Sequence, residues 1–199
     1  MFQSYKLQSG MFPSGRGTPD WLVDLERQSF TVEIHENDHA PVLTGDPNDG
    51  IPLQVTSIRW GMPNLWMMRK GLDPFDGPVF SMSLSQALTA YSGQIRTPSW
   101  RCLVPVTSIA LDISGNENDV HDPNCSLLTL AGLICGVESE ASYIRGFCFL
   151  TSEVHDSEET YDAPLVVAPE HHNSWMCGWG GNKLRSCCEP LLGSRLAEV

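Results

Sequence analysis

Basic residues are scarce in this sequence: 12 Lys and Arg stand against 24 Asp and Glu, a net charge of −12 over 199 residues. A field of that sign repels a phosphate backbone over the ~10 Å Debye length, which excludes nucleic-acid binding by bulk attraction. Long apolar runs are missing too. None approaches the ~18 residues of a membrane span, and the N-terminal MFQSYKLQSG lacks the apolar stretch of a secretory signal. The expectation is a soluble, cytoplasmic or otherwise intracellular protein with no membrane partner. Charged residues reach only 18% while hydrophobic residues reach 41%, the composition of a folded chain and not of a disordered one. The cysteines form no framework: there are seven, an odd count at irregular spacing, which reads as reduced thiols. Cys102, Cys135 and Cys148 lie in the apolar runs RCLVPV, LAGLICG and GFCFL and are expected in the core.

What is present is a strand-rich pattern. Seventeen glycines and 14 prolines cut the chain into short apolar runs, and no repeat, low-complexity tract or linker divides it, so 1–199 is expected to be a single domain. Candidate strands are Phe30 to Ile34, Leu53 to Trp60, Val79 to Ser83, Leu103 to Leu111, Leu127 to Leu133, Tyr143 to Thr151 and Leu165 to Val167. Thr18-Pro19-Asp20 before WLVDLERQ supplies a cap, a first-turn proline and an apolar stripe, the marks of a short helix. A second helix is expected over Ser83 to Ala90, where Leu84, Ala87 and Leu88 fall at helical spacing.

Most chemical motifs fail on inspection. The segment GDPNDG (45–50) lacks the lysine and following helix of a phosphate loop and reads as a turn. No HExxH and no G-x-S-x-G occurs. Glu170, His171, His172, Cys177, Cys187 and Cys188 are metal-ligand types, but adjacent pairs diverge instead of converging as ligands two residues apart do. Neither a metal nor a cofactor is expected. Trp60 is expected in the core and Trp66, beside Met67-Met68-Arg69-Lys70, at the surface; with Trp100 they are the candidates to line a cleft.

The charge is unevenly placed. Between Cys102 and Asn182 there are twelve acidic side chains and one basic one, Arg145. GNENDVHDPN (115–124) and SEVHDSEETYD (152–162) read as polar connections. They are either merely solvated or an acidic face, Glu153, Asp156, Glu158, Glu159 and Asp162, for a basic partner.

The blocks SIRWGMPNLW, VFSMSLSQA, RCLVPVTSIAL, LAGLI, GFCFLTSEV and YDAPLVVAPEHHNSWM occur in an order and spacing that resemble the SOS-response-associated peptidase (SRAP) family. These are the abasic-site-processing proteins of single-stranded DNA. The resemblance spans about residues 30 to 176, and Arg101-Cys102-Leu103-Val104-Pro105 is its most specific piece. It implies an α+β fold in which curved antiparallel strands form a barrel-like core with a few short helices outside. It also implies a chemistry in which the cysteine after the initiator methionine captures the aldehyde of an abasic sugar, assisted by Asn, Glu and His.

The matched positions do not carry that chemistry. Phe2 stands at the nucleophile, Ser81 at the asparagine, Leu111 at the glutamate and Thr160 at the histidine; Ser83 and Asp162 stand at two arginines, and the nearest imidazole, His155, lies five residues early. The resemblance therefore implies a scaffold stripped of reaction and of phosphate-binding charge. On this reading the chain is a pseudoenzyme that meets a basic protein partner through its acidic half, as an inhibitor, decoy or DNA mimic in DNA repair or virus–host conflict, with nucleic-acid binding weak or absent. The alternative is a DNA-sensing or DNA-processing protein that keeps the family function with a different nucleophile, for which Cys177, Cys187 and Cys188 are the candidates if exposed.

Overall fold

The computed structural model describes residues 2–8, 20–27, 31–113, 116–123, 127–138, 143–156, 159–177, 181–191 and 197–198. Thirteen strands are described: β1 Phe2–Gln8, β2 Thr31–His35, β3 His39–Asp46, β4 Ile51–Trp60, β5 Ser81–Ser83, β6 Arg101–Val106, β7 Ser108–Ile113, β8 Asn116–His121, β9 Leu128–Glu138, β10 Tyr143–Asp156, β11 Glu159–Val166, β12 Glu189–Pro190 and β13 Ala197–Glu198. Six short helices accompany them: α1 Asp20–Arg27, α2 Leu65–Arg69, α3 Leu84–Ala90, α4 Ser92–Arg96, α5 His172–Cys177 and α6 Gly181–Arg185. None is long and apolar enough to cross a membrane.

The strands form two sheets, one of five strands in the order β13-β8-β7-β1-β2 and one of eight in the order β12-β11-β9-β6-β3-β4-β10-β5. The larger sheet curls back on itself, because β10, at the far side of β4, also pairs with β9. Two of its seams are thin. A single residue pair, Leu43 with Leu103, joins β3 to β6, and two pairs, Gly146 with Arg59 and Phe147 with Trp60, join β4 to β10. The core is thus a curled sheet and not a closed barrel, and it is not purely antiparallel: β10 runs parallel to both β4 and β5. The β4–β10 crossing needs glycine, since a Cβ on Gly146 would collide with the Gly61 carbonyl. Gly61 itself sits at φ +131, which side chains rarely tolerate.

Side-chain alternation builds the layers. On β9, Leu128, Leu130 and Ile134 enter one buried cluster with Tyr5, Ile34 and Ile109 of the smaller sheet, whereas Ala131, Leu133 and Cys135 enter another with Trp21, Leu22, Leu84, Ile95 and Trp175 of the helices. The period of two is the pleat itself. It makes the curled sheet the middle layer, and β6, covered on both faces, is buried at every residue from Arg101 to Val106.

Several sequence expectations are corrected here. The run from Leu103 to Leu111 is two strands, broken at Thr107, whose N–H and hydroxyl both donate to the Lys6 carbonyl (2.8 and 3.0 Å); at that corner the chain leaves the curled sheet for the other. The polar run 115–124 contains strand β8, and 152–162 holds the ends of β10 and β11, a hairpin. In the hairpin, polar side chains read as loop because the face carrying Glu153, His155, Thr160 and Asp162 meets water. Both expected helices are present: the first over Asp20–Arg27, its expected cap Thr18 and Pro19 lying outside the described residues, and the one expected over Ser83 to Ala90 from Leu84, with Ser83 as its cap.

Candidate functional site

The positions matched to SRAP chemistry fall into separate places. Phe2 on β1 is the cross-strand partner of Leu111 on β7, so the matched nucleophile and glutamate positions do meet. Ser81, half-buried on β5, faces Phe149 of β10 across the ladder. Ser83 has a structural occupation: its hydroxyl accepts from the Gln86 N–H and its own N–H donates to the Gln86 side chain, both at 3.1 Å, a capping box for α3. Thr160 is elsewhere. It pairs with His155, six residues along β10 from the Phe149 rung, or roughly 20 Å at ~3.3 Å per residue.

That pairing returns in space what the sequence separates. The His155 Nδ1 lies 2.9 Å from the Thr160 hydroxyl, and its Nε2 lies 3.2 Å from a Glu153 carboxylate oxygen. Carboxylate, imidazole and hydroxyl in that order have the connectivity of a hydrolytic relay, but the His155 and Glu153 side chains are 74% and 65% exposed. With water on every side and no preorganised donors for a developing oxyanion, they make a surface network and no active site.

The acidic candidates share the hairpin but not one phase of it. Glu153 stands directly opposite Asp162, both exposed, whereas Asp156 is paired with Glu159 at a register position of the other parity. Glu158 lies outside the described residues. Opposed like charges on adjacent strands cost stability.

The three tryptophans do not form a cleft. Trp60 is fully buried, donates to the Phe80 carbonyl at 3.0 Å, and meets Tyr5 and Phe149 edge-on at 5.5 and 5.2 Å. Trp66 on α2 is 57% exposed and lies under Lys70, whose Nζ is 3.7 Å from the ring centroid; nearby on the chain, Arg59 stacks on Phe75 at 5.1 Å. Trp100 is half-buried against both clusters.

Among the described residues the thiols are largely inaccessible. Cys187 and Cys188, candidate nucleophiles only if exposed, are buried below α6, where their Sγ atoms donate to the carbonyls of Lys183 and Leu184. Burial pushes the Cys188 thiol up to about 12, which keeps it protonated and inert. Cys177 is half-exposed. The expected core thiols Cys102, Cys135 and Cys148 are buried, and burial raises all three. His172, one of the metal-ligand types, is spoken for as well: Thr129 has one hydroxyl proton, which serves the Val167 carbonyl at 2.6 Å, so the imidazole Nε2–H donates to the Thr129 oxygen at 2.7 Å. Arg101 is fully buried, donates through Nη1 to the Trp175 carbonyl, leaves Nε and Nη2 unpaired, and is pulled down to about 10 by burial. Nothing in the sequence marks this arginine as interior except the apolar run that follows it.

No family model and no curated protein matches the chain. Solved structures do. A protein from Bordetella bronchiseptica is 14% identical with a TM-score of 0.64, and the match covers 99% of each chain. A protein from Bacteroides thetaiotaomicron is 11% identical at a TM-score of 0.67, over 98% of this chain and 90% of that one. A phage-related protein from Bordetella bronchiseptica is 13% identical at a TM-score of 0.62, over 99% and 92%. At such identities the likeness establishes a shared fold and nothing about activity.

Proposed function

We propose that the chain is a binding protein without the family's covalent chemistry, an SRAP-like pseudoenzyme that presents the β10–β11 hairpin to a basic protein partner. The observation that carries this reading is the opposition of Glu153 and Asp162 across an exposed ladder. A like-charge rung is unfavourable within the free protein and becomes favourable against cationic side chains. Phe2 and Leu111 at the matched reaction positions support the loss of catalysis, since neither can act as nucleophile, acid or base. Capture of a partner on the full-length chain, followed by association rates for Glu153→Lys/Asp162→Lys at low and high salt, tests the reading. The variant is expected to associate about tenfold or more slowly at low salt, with the difference shrinking as salt rises; equal rates overturn it.

A second reading, recognition of single-stranded DNA with another nucleophile, is favoured by one feature, the exposed Trp66 with Arg69 and Lys70 on the same short element. Aromatic faces interleaved with cations suit unpaired bases and phosphates. A covalent adduct with abasic single-stranded DNA that is lost in Cys177→Ser would establish it. Failure to bind such DNA below about 1 μM at ~0.15 M salt would remove it.

A further inference from the structure

We propose that the recess between Trp100, Tyr143 and Arg145 is a binding site for a small organic anion, a carboxylate or phosphate carried on a flat ring. This site is independent of the hairpin reading. The recess has a volume of about 190 Å³ and is lined by Ser99, Trp100, Tyr143 and Arg145. It is a small recess open to solvent, which suits one ring with its acid group and is too small for a drug-sized molecule.

Each wall has a reason to be where it is. Trp100 ends a 3-10 turn over Pro98–Trp100 and is half-buried against both core clusters, so it is a fixed surface. Tyr143 opens β10 and is 52% exposed. It stays close to the sheet because residue 136 has no side chain: a Cβ on Gly136 would collide with the Tyr143 phenol. Gly136 is also the cross-strand partner of Arg145, so the ring leans toward the rung that carries the guanidinium. Two aromatic surfaces beside a cation favour a planar anion over a saturated one.

Arg145 supplies the charge. It is the one basic residue among twelve acidic ones between Cys102 and Asn182, yet among the described residues no carboxylate pairs with it and no acceptor takes its N–H groups. It is half-buried, so it has lost part of its hydration, and no carboxylate among the described residues repays that loss. A carboxylate or phosphate meets the fork of such a guanidinium with two parallel hydrogen bonds, and the Ser99 hydroxyl at the rim can add a third.

Titration of the full chain with benzoate, phenyl phosphate, inorganic phosphate and cyclohexanecarboxylate, read by calorimetry and by the indole NMR signal of Trp100, tests the proposal. Benzoate or phenyl phosphate is expected to saturate the site at about 1 mM or tighter, and the tighter of the two identifies carboxylate or phosphate as the acid group. Cyclohexanecarboxylate and inorganic phosphate should each bind several-fold more weakly. Arg145→Met should weaken binding about tenfold or more, a charged hydrogen bond being worth ~1.5–3 kcal/mol, with Arg145→Lys intermediate. Gly136→Ala, which displaces Tyr143, should weaken it as well, whereas Glu153→Lys/Asp162→Lys should leave it unchanged. No saturation by either aromatic acid, or unchanged affinity in Arg145→Met or, should that variant misfold, in Arg145→Lys, overturns the site. Equal affinity for benzoate and cyclohexanecarboxylate overturns the flat-ring requirement.

Discussion

The two halves of strand β10 differ more than most pairs of strands do. From Gly146 to Thr151 every residue is buried; β9 runs alongside as far as Phe149, β4 and then β5 lie on the other side, and β11 takes over opposite Thr151. From Ser152 to Asp156 the strand pairs with β11 alone, and Glu153 and His155 are exposed. Inner residues are chosen for volume and outer ones for charge, within one continuous strand. The difference shows that the acidity of this half of the chain does not have to disturb the scaffold, because it is displayed where a single neighbour fixes the backbone. It also offers a competing account of the acids. Charge on a strand with a free edge discourages edge-to-edge pairing, so the hairpin carboxylates could serve solubility alone, and the comparison becomes useful only where experiments pull the two accounts apart.

The largest effect is expected in the inner half. Gly146→Ala places a methyl against the Gly61 backbone carbonyl at the β4–β10 crossing, a clash that no side-chain rotation relieves. Its cost should be about 3 kcal/mol or more, visible as loss of cooperative unfolding or a large fall in melting temperature. A small effect would mean that the two-pair seam is not what holds the curl.

Next comes the buried polar link that ties β9 to α5. Thr129→Val removes the hydroxyl that serves both Val167 and His172 and should cost about 2 kcal/mol by leaving buried groups unpaired, measured by urea denaturation. Burial holds the His172 imidazole below its ordinary value of ~6.5. The unfolded chain therefore takes up a proton before the folded one, so the stability tied to the neutral ring is complete above pH ~6.5 and declines as pH falls below it. His172→Gln should remove that part of the acid sensitivity. An unchanged slope of stability against pH just below 6.5 would count against the assignment.

How much of this was legible beforehand follows the same division. The inner runs RCLVPV and GFCFL announce strands, and Cys102, Cys148 and Trp60 announce core, because apolar volume has no other place to go. The chain's turn from one sheet to another at Thr107 was hidden, since RCLVPVTSIALD is one unbroken apolar pattern and the break lies in a hydrogen bond to Lys6. Helices α2, α4, α5 and α6, of five or six residues, are too short to show a period of 3.6. In sequence the outer hairpin reads as loop because its alternation pairs charge with Val154 and Tyr161, a weak signal beside Asp, Glu and Ser. The approach of His155 to Thr160 is a matter of register, which a count along the chain cannot give. Spacing from the resemblance placed the imidazole five residues away, and the ladder places it opposite.

A smaller effect, opposite in sign, is expected where the inner region itself carries an unmet group. The Tyr5 hydroxyl is buried with no hydrogen-bond partner, while its ring meets Trp60 and Phe149 edge-on. Tyr5→Phe keeps those ring contacts and releases a desolvated hydroxyl, so it should be neutral or stabilise by about 1 kcal/mol. Destabilisation by a similar amount in thermal unfolding would show that the hydroxyl has a partner after all.

The smallest expected change in stability is the most informative about function. Asp162→Lys converts the opposed carboxylates at positions 153 and 162 into an ion pair across the ladder, which should stabilise the hairpin by a few tenths of a kcal/mol, about 0.5 at most. The gain should fade at high salt because both side chains are exposed. If the acids serve only to keep the edge soluble, the variant retains charge at both positions and nothing else changes. If they form the partner-binding face, the same substitution slows association while making the protein slightly more stable, and Asp162→Asn falls between the two. Stability and association moving in opposite directions cannot come from a damaged fold, so this pair of measurements, made on one variant at two salt concentrations, separates a recognition surface from a merely solvated one.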